Sequence, residues 1–127
     1  MTKHICIIED DANLALTIST ILENKGYFVS VFDRFPTMED LILSEPDLFI
    51  IDERLPTIGG HIICIMLRSN LKTKHIPQLL MSASPMLYKY AELGEVNDYI
   101  KKPFDLKEFL QKVALLVITN SNGLMDM

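Results

Sequence analysis

A chain of 127 residues that is 49% hydrophobic and 23% charged is long enough for one domain with a proper core and too short for two comfortable ones. Its net charge of −5, with basic residues only scattered, gives no footprint for direct nucleic-acid binding. The longest apolar runs, Ile62 to Leu67 and Val113 to Ile118, fall far short of the roughly 18 residues of a membrane span, and no basic region followed by an apolar stretch opens the chain. These features predict a soluble, cytoplasmic protein with no membrane contact, and Cys6 and Cys64 read as buried, reduced thiols.

Short apolar runs alternate with segments of helical period, the pattern of βαβ units and of an α/β fold with a parallel sheet. His4 to Ile8 reads as a first strand. A helix follows from about Ala12, with Asp11 as its N-cap, Leu14, Ile18, Ile21 and Leu22 on one face, and Gly26 as its stop. Tyr27 to Val31 gives a second strand, and Thr37 to Ser44 a short helix carrying Met38, Leu41 and Ile42. Leu48 to Ile51, wholly apolar, is a third strand with the character of a central one.

Pro56 and the Gly59-Gly60 pair mark Asp52 to Gly60 as a loop, ahead of a helix from about His61 to Asn70. Gln78 to Met81 makes a fourth strand, and a helix opening near Pro85 should run to about Gly94. Asp98 to Lys101 is a short fifth strand. Asp105 then caps a last helix with Phe109, Leu110, Val113 and Leu116 inward. The domain is expected over residues 1–119, leaving 120–127 as a frayed tail or the start of a linker.

Parallel strands joined by right-handed crossovers bring their carboxyl ends to one edge of the sheet, where ligands bind in open α/β folds. Strand one ends in Glu9-Asp10, strand three in Asp52, strand four in Ser82 and strand five in Lys102. Three carboxylates, a hydroxyl and an ammonium are therefore expected in one place.

The stretches "IIEDD" (7–11), "IIDERLPTIGG" (50–60), "MSAS" (81–84) and "DYIKKPF" (98–104) closely resemble the receiver domain of two-component response regulators, over nearly the whole chain. The resemblance implies a doubly wound, flavodoxin-like (βα)5 fold of strand order 2-1-3-4-5. It further implies that Asp52 accepts a phosphoryl group from a histidine kinase or phosphotransfer protein. Asp10, Asp52 and the main-chain carbonyl of Arg54 would hold Mg²⁺, with Glu9 reaching it through water. Ser82 would bind a phosphoryl oxygen, Lys102 would pair with the carboxylate or the phosphoryl group, and Tyr99 falls where the family has an aromatic side chain that changes rotamer on activation. The output surface would be the fourth helix, fifth strand and fifth helix, offered to a downstream protein target or an output domain outside this chain, as a monomer or a phosphorylation-dependent dimer. Such a domain is a phosphoacceptor that assists its own reaction, not an enzyme in the ordinary sense.

The chemistry asks independently for these residue types. A carboxylate can attack phosphorus, but its charge repels the incoming group, so a cation must bridge the two. Mg²⁺ takes hard oxygen ligands, one or two carboxylates plus phosphate, which suits Asp10 and Asp52 at adjacent strand ends. Phosphorylation changes the net charge by only about one unit, so the switch is expected to work through new acceptor oxygens that draw Ser82 inward and vacate space for Tyr99.

The chain also departs from the family. The segment between Ser82 and Lys102 is shorter than usual, Glu95-Val96 replaces the common Gly-Ala, and Thr57 and Gly59 replace a glycine and an aspartate after the phosphoacceptor. Arg54 and Ser84 border the path of attacking water and are expected to tune the phosphoryl lifetime. An unphosphorylated docking module would usually lack one of the site residues, and none is lost. A Mg²⁺-dependent phosphohydrolase would need an acid where Arg54 stands, and a flavin carrier would need a phosphate loop where Glu9-Asp10-Asp11 repel one. His4, His61 and His75 lack metal-ligand spacing and are assigned surface or packing roles.

Overall fold

In the computed structural model the backbone is described for residues 2–125 and the side chains for residues 2–119. Ten elements alternate: β1 (His4–Ile8), α1 (Ala12–Asn24), β2 (Phe28–Phe32), α2 (Met38–Ser44), β3 (Leu48–Asp52), α3 (Gly60–Arg68), β4 (Gln78–Ser82), α4 (Leu87–Gly94), β5 (Asp98–Lys101) and α5 (Leu106–Met125). The five strands are all parallel, in the order β2-β1-β3-β4-β5. This is the parallel α/β sheet expected from the alternation, in the doubly wound order that the resemblance implies, with β3 at the centre and all five of its residues buried.

Because successive strand residues point to opposite faces, each strand feeds two cores. Ile5, Ile7, Ile50, Leu79 and Met81 pack with Ile18 and Leu22 of α1 and with Phe109 and Val113 of α5. Cys6, Ile8, Phe49, Ile51 and Leu80 pack on the other face with Leu41 of α2, Ile63, Cys64 and Leu67 of α3, and Leu87 and Ala91 of α4. Both cysteines are buried and free, as expected. Burial in apolar surroundings pushes the Cys6 thiol up to about 12, so it is packing material and not a nucleophile.

Several boundaries differ from the expected ones for local reasons. Tyr27 belongs to the turn that closes α1 and not to β2, because its N–H bonds to the Leu22 carbonyl at 3.2 Å, while the Phe28 N–H begins the ladder on Lys3. Thr37 caps α2 through its hydroxyl and does not start it. Helix α3 starts one residue early, at Gly60, and hands over to Ser69 as C-cap. Helix α4 opens at Leu87 and not at Pro85, since the Ser84 hydroxyl and carbonyl take up the N–H groups of Met86 and Leu87 in a preceding turn. Helix α5 continues to Met125, into the polar stretch that the sequence assigns to a tail; residues 126 and 127 lie outside the described residues.

Candidate functional site

Register carries the strand ends to one edge. Asp52 stands beside Met81, and Ser82 beside Lys101, so the residues just beyond β1, β3 and β5 converge. They line an open cavity of about 620 Å³ whose walls include Glu9, Asp10, Asp52, Arg54, Ser82 and Lys102. The expected cluster is therefore present, and its geometry is specific. Lys102 Nζ donates to Glu9 Oε1 at 2.6 Å and approaches Asp52 Oδ1 at 2.8 Å. One ammonium thus bridges two carboxylates that are almost completely buried.

Three carboxylates against one ammonium leave the site short of positive charge. Oxygens of Glu9, Asp10 and Asp52 all lie within 4.8 Å of one another. Glu9 Oε2 is buried without a hydrogen-bond partner, a position a native structure fills with a donor, a water or an ion. Burial, opposed by the Lys102 hydrogen bond and reinforced by the Asp52 charge, pushes the Glu9 carboxyl up to about 7. Lys102 moves upward from its ordinary value: burial works against its charge, but hydrogen bonds to Asp52 and Glu9 outweigh it. An all-oxygen donor set with an orphaned buried oxygen fits a hard divalent cation such as Mg²⁺.

Ser82 is buried, and its Oγ accepts the Ser84 N–H at 3.0 Å, tying the hydroxyl to the turn that leads into α4. The Lys102 N–H donates to the Ser82 carbonyl at 2.9 Å. Arg54 lies in the loop after β3 with its side chain exposed, and its backbone forms an isolated antiparallel bridge with Gly59. Tyr99 lies outside the cluster, partly exposed on the edge strand β5.

One arrangement escaped the sequence reading. Glu53 follows Asp52 and, by strand alternation, falls on the opposite face of the sheet, toward α3. Its carboxylate accepts the His61 N–H at 2.8 Å and pairs with His61 Nδ1 at 2.8 Å. The imidazole in turn stacks on Tyr90 of α4, with centroids 5.0 Å apart. His61 is thus a half-buried packing residue that hydrogen-bonds the Glu53 carboxylate. The available signal was the parity that separates Glu53 from Asp52.

Residues 5–114 match the model of the response regulator receiver domain. The chain is 38% identical over 120 residues to the response regulator ArlR of Staphylococcus saprophyticus, covering 92% of this chain and 53% of that protein. It is 32% identical over 117 residues to the DNA-binding dual master transcriptional regulator RpaA of Synechocystis, covering 90% of this chain and 48% of that one. The chain therefore spans about half the length of these relatives. Among solved structures, the signal receiver domain of a signal transduction histidine kinase from Syntrophus aciditrophicus superposes with a TM-score of 0.84 at 26% identity, covering 91% of this chain and 90% of that one.

Proposed function

The chain belongs to the response regulator receiver domain family, and from that premise we propose that it is a phosphoacceptor switch in which Asp52 takes a phosphoryl group from the phosphohistidine of a histidine kinase or phosphotransfer protein. A carboxylate oxygen of Asp52 attacks phosphorus; the phosphorus–nitrogen bond breaks and its electron pair returns to the donor imidazole. The observation that carries this reading is the Asp52 carboxylate held at 2.8 Å from Lys102 inside a cluster of three acids.

Asp10, Asp52 and the Arg54 carbonyl would hold Mg²⁺, with Glu9 acting through water; when bound, the ion neutralises the repulsion between Asp52 and the phosphoryl oxygens. Lys102 rests between two acids, so it can keep Glu9 while turning its ammonium from the Asp52 carboxylate to a phosphoryl oxygen. Its compact charge on a flexible stem suits a contact that changes partner. The Ser82 hydroxyl donates to another phosphoryl oxygen. Since Ser82 Oγ already holds the Ser84 N–H, its movement pulls on the turn before α4 and alters the surface of α4, β5 and α5, where Tyr99 sits.

The output is a protein contact and not a turnover reaction of the domain's own, made as a monomer or as a phosphorylation-dependent dimer in the cytoplasm. No helix among the described residues is long and apolar enough to cross a membrane, and direct nucleic-acid contact is left to other domains or partners. The test is intact-protein mass after incubation with acetyl phosphate, with and without Mg²⁺, alongside Asp52→Asn. A single phosphate adduct requiring both Mg²⁺ and Asp52 is expected. An adduct retained at normal stoichiometry in Asp52→Asn moves the acceptor elsewhere. Absence of any adduct from acetyl phosphate and from a second phosphodonor favours an unphosphorylated docking module.

A further inference from the structure

We propose that Glu53 and His61 form a positioning pair that fixes the 53–60 loop, and with it the main-chain carbonyl of Arg54, for divalent-cation binding beside Asp52. The inference rests on the reading of Asp52 as a Mg²⁺-dependent phosphoacceptor.

Four contacts close the loop at its base. The Glu53 N–H donates to the Met81 carbonyl at 2.8 Å, anchoring the loop's start to β4, and the Glu53 carbonyl accepts the Gly60 N–H at 2.8 Å. The Glu53 side chain then accepts the His61 N–H and pairs with the His61 ring. Helix α3 has no side-chain cap from its own N-cap residue, Gly59, so a carboxylate from the far end of the loop does that work and meets the positive end of the helix. The imidazole is itself held by its stack on Tyr90.

The loop inside this clamp is strained. Ile58 N–H bonds back to the Pro56 carbonyl at 2.9 Å across Thr57, whose φ is 70°. A β-branched residue in the left-handed region costs energy and persists only where its surroundings over-determine it. The surroundings here are the clamp. Remove it, and the loop relaxes toward ordinary dihedrals, carrying the Arg54 carbonyl with it. Stability alone explains the side-chain pair poorly, because replacing both partners of a hydrogen bond by apolar groups of similar shape is often nearly neutral. Its placement, one residue beyond the phosphoacceptor and one before the proposed carbonyl ligand, gives it leverage on cation binding.

The experiment uses the full chain, with Mg²⁺ alone titrated calorimetrically into wild type, Glu53→Gln and the double variant Glu53→Leu/His61→Leu, each with its melting temperature. Having lost the carboxylate that caps α3, the double variant should melt a few degrees below wild type without Mg²⁺ but stay folded, and it should bind Mg²⁺ about tenfold more weakly, the effect of losing an outer-shell support. Glu53→Gln, which keeps the acceptor for the His61 N–H, should recover most of that affinity. Wild-type affinity in a folded double variant overturns the proposal. A second measurement needs no variant. Linkage is reciprocal, so saturating Mg²⁺ should slow hydrogen exchange at the His61 amide of wild type, and an unchanged rate also overturns it. Wild type that neither binds Mg²⁺ nor accepts phosphate from acetyl phosphate brings down the phosphoacceptor reading itself, an outcome distinct from failure of the clamp.

Discussion

Asp52 and Glu53 are consecutive, acidic and buried, and each has a basic partner, yet strand alternation sends them to opposite faces of the sheet and to different kinds of site. Asp52 meets an ammonium on a flexible stem that it shares with Glu9. Glu53 meets a planar ring held by a stack, together with the first-turn N–H of a helix. The same pairing of an acid with a nitrogen base can therefore be built to be exchanged or built to hold. The difference lies in how many alternatives the partner has.

Removing the exchangeable cation should have the largest effect on stability. Lys102→Met leaves Glu9 and Asp52 buried without compensation, and without Mg²⁺ near neutral pH it should lose about 3 kcal/mol in urea unfolding. Mg²⁺ should restore part of that loss. An unchanged midpoint would mean that the two acids are wet enough to need no partner, and the contrast with Glu53 would collapse.

Titration sharpens the same contrast. The Glu9 carboxyl ionises near 4.5 when free and near 7 in the folded domain, so between those values the folded state holds more protons than the unfolded one. Stability contributed by protonated Glu9 should accordingly fall as pH rises through that window, by on the order of 2 kcal/mol, in the absence of divalent ions. Chemical denaturation from pH 4.5 to 7.5 checks it, and Glu9→Gln should flatten the slope. A slope of the opposite sign would show Lys102 outweighing burial at Glu9.

The smallest effect is expected on the holding side. Thr57→Gly relieves the left-handed strain inside the clamped loop, offset by the greater freedom of glycine in the unfolded chain, for a net gain of about 1 kcal/mol or less. Thermal unfolding reads it. A loss instead of a gain would place the Thr57 side chain among the loop's supports.

The fold was legible because each apolar run is short, bounded by turn residues and followed by a helical period; the uninterrupted apolar character of Leu48 to Ile51 even announced the central strand. The acidic cluster was legible because parallel topology forces strand ends together, so residues more than 90 positions apart, such as Glu9 and Lys102, could be placed side by side without a structure. What the cluster does inside was less visible. That Lys102 spans Glu9 as well as Asp52 depends on a side-chain rotamer, which no spacing encodes. Glu53 and His61 lie eight residues apart across an irregular loop, a separation matching neither helix nor strand period. Tyr90 meets them only through the packing of α4 on α3. The continuation of α5 to Met125 went unforeseen because polar composition weakens the amphipathic signal without forbidding helix.

The two glycines at the start of α3 are constrained in different ways. A Cβ on Gly60 would collide with the carbonyl oxygen of Asp52, a main-chain atom at the proposed phosphoacceptor, whereas one on Gly59 would meet only side chains, Glu53 Oε2 at 2.8 Å and the His61 ring at 3.2 Å. Position 60 is therefore closed to drift. Position 59 is hemmed in by the side chains of Glu53 and His61, so the order of mutation matters: a substitution at 59 becomes easier after Glu53 has shortened and the His61 ring can give way, and its later presence would then oppose the return of the glutamate. The close approach of helix to strand thus makes the residues acceptable at position 59 depend on which residue stands at 53.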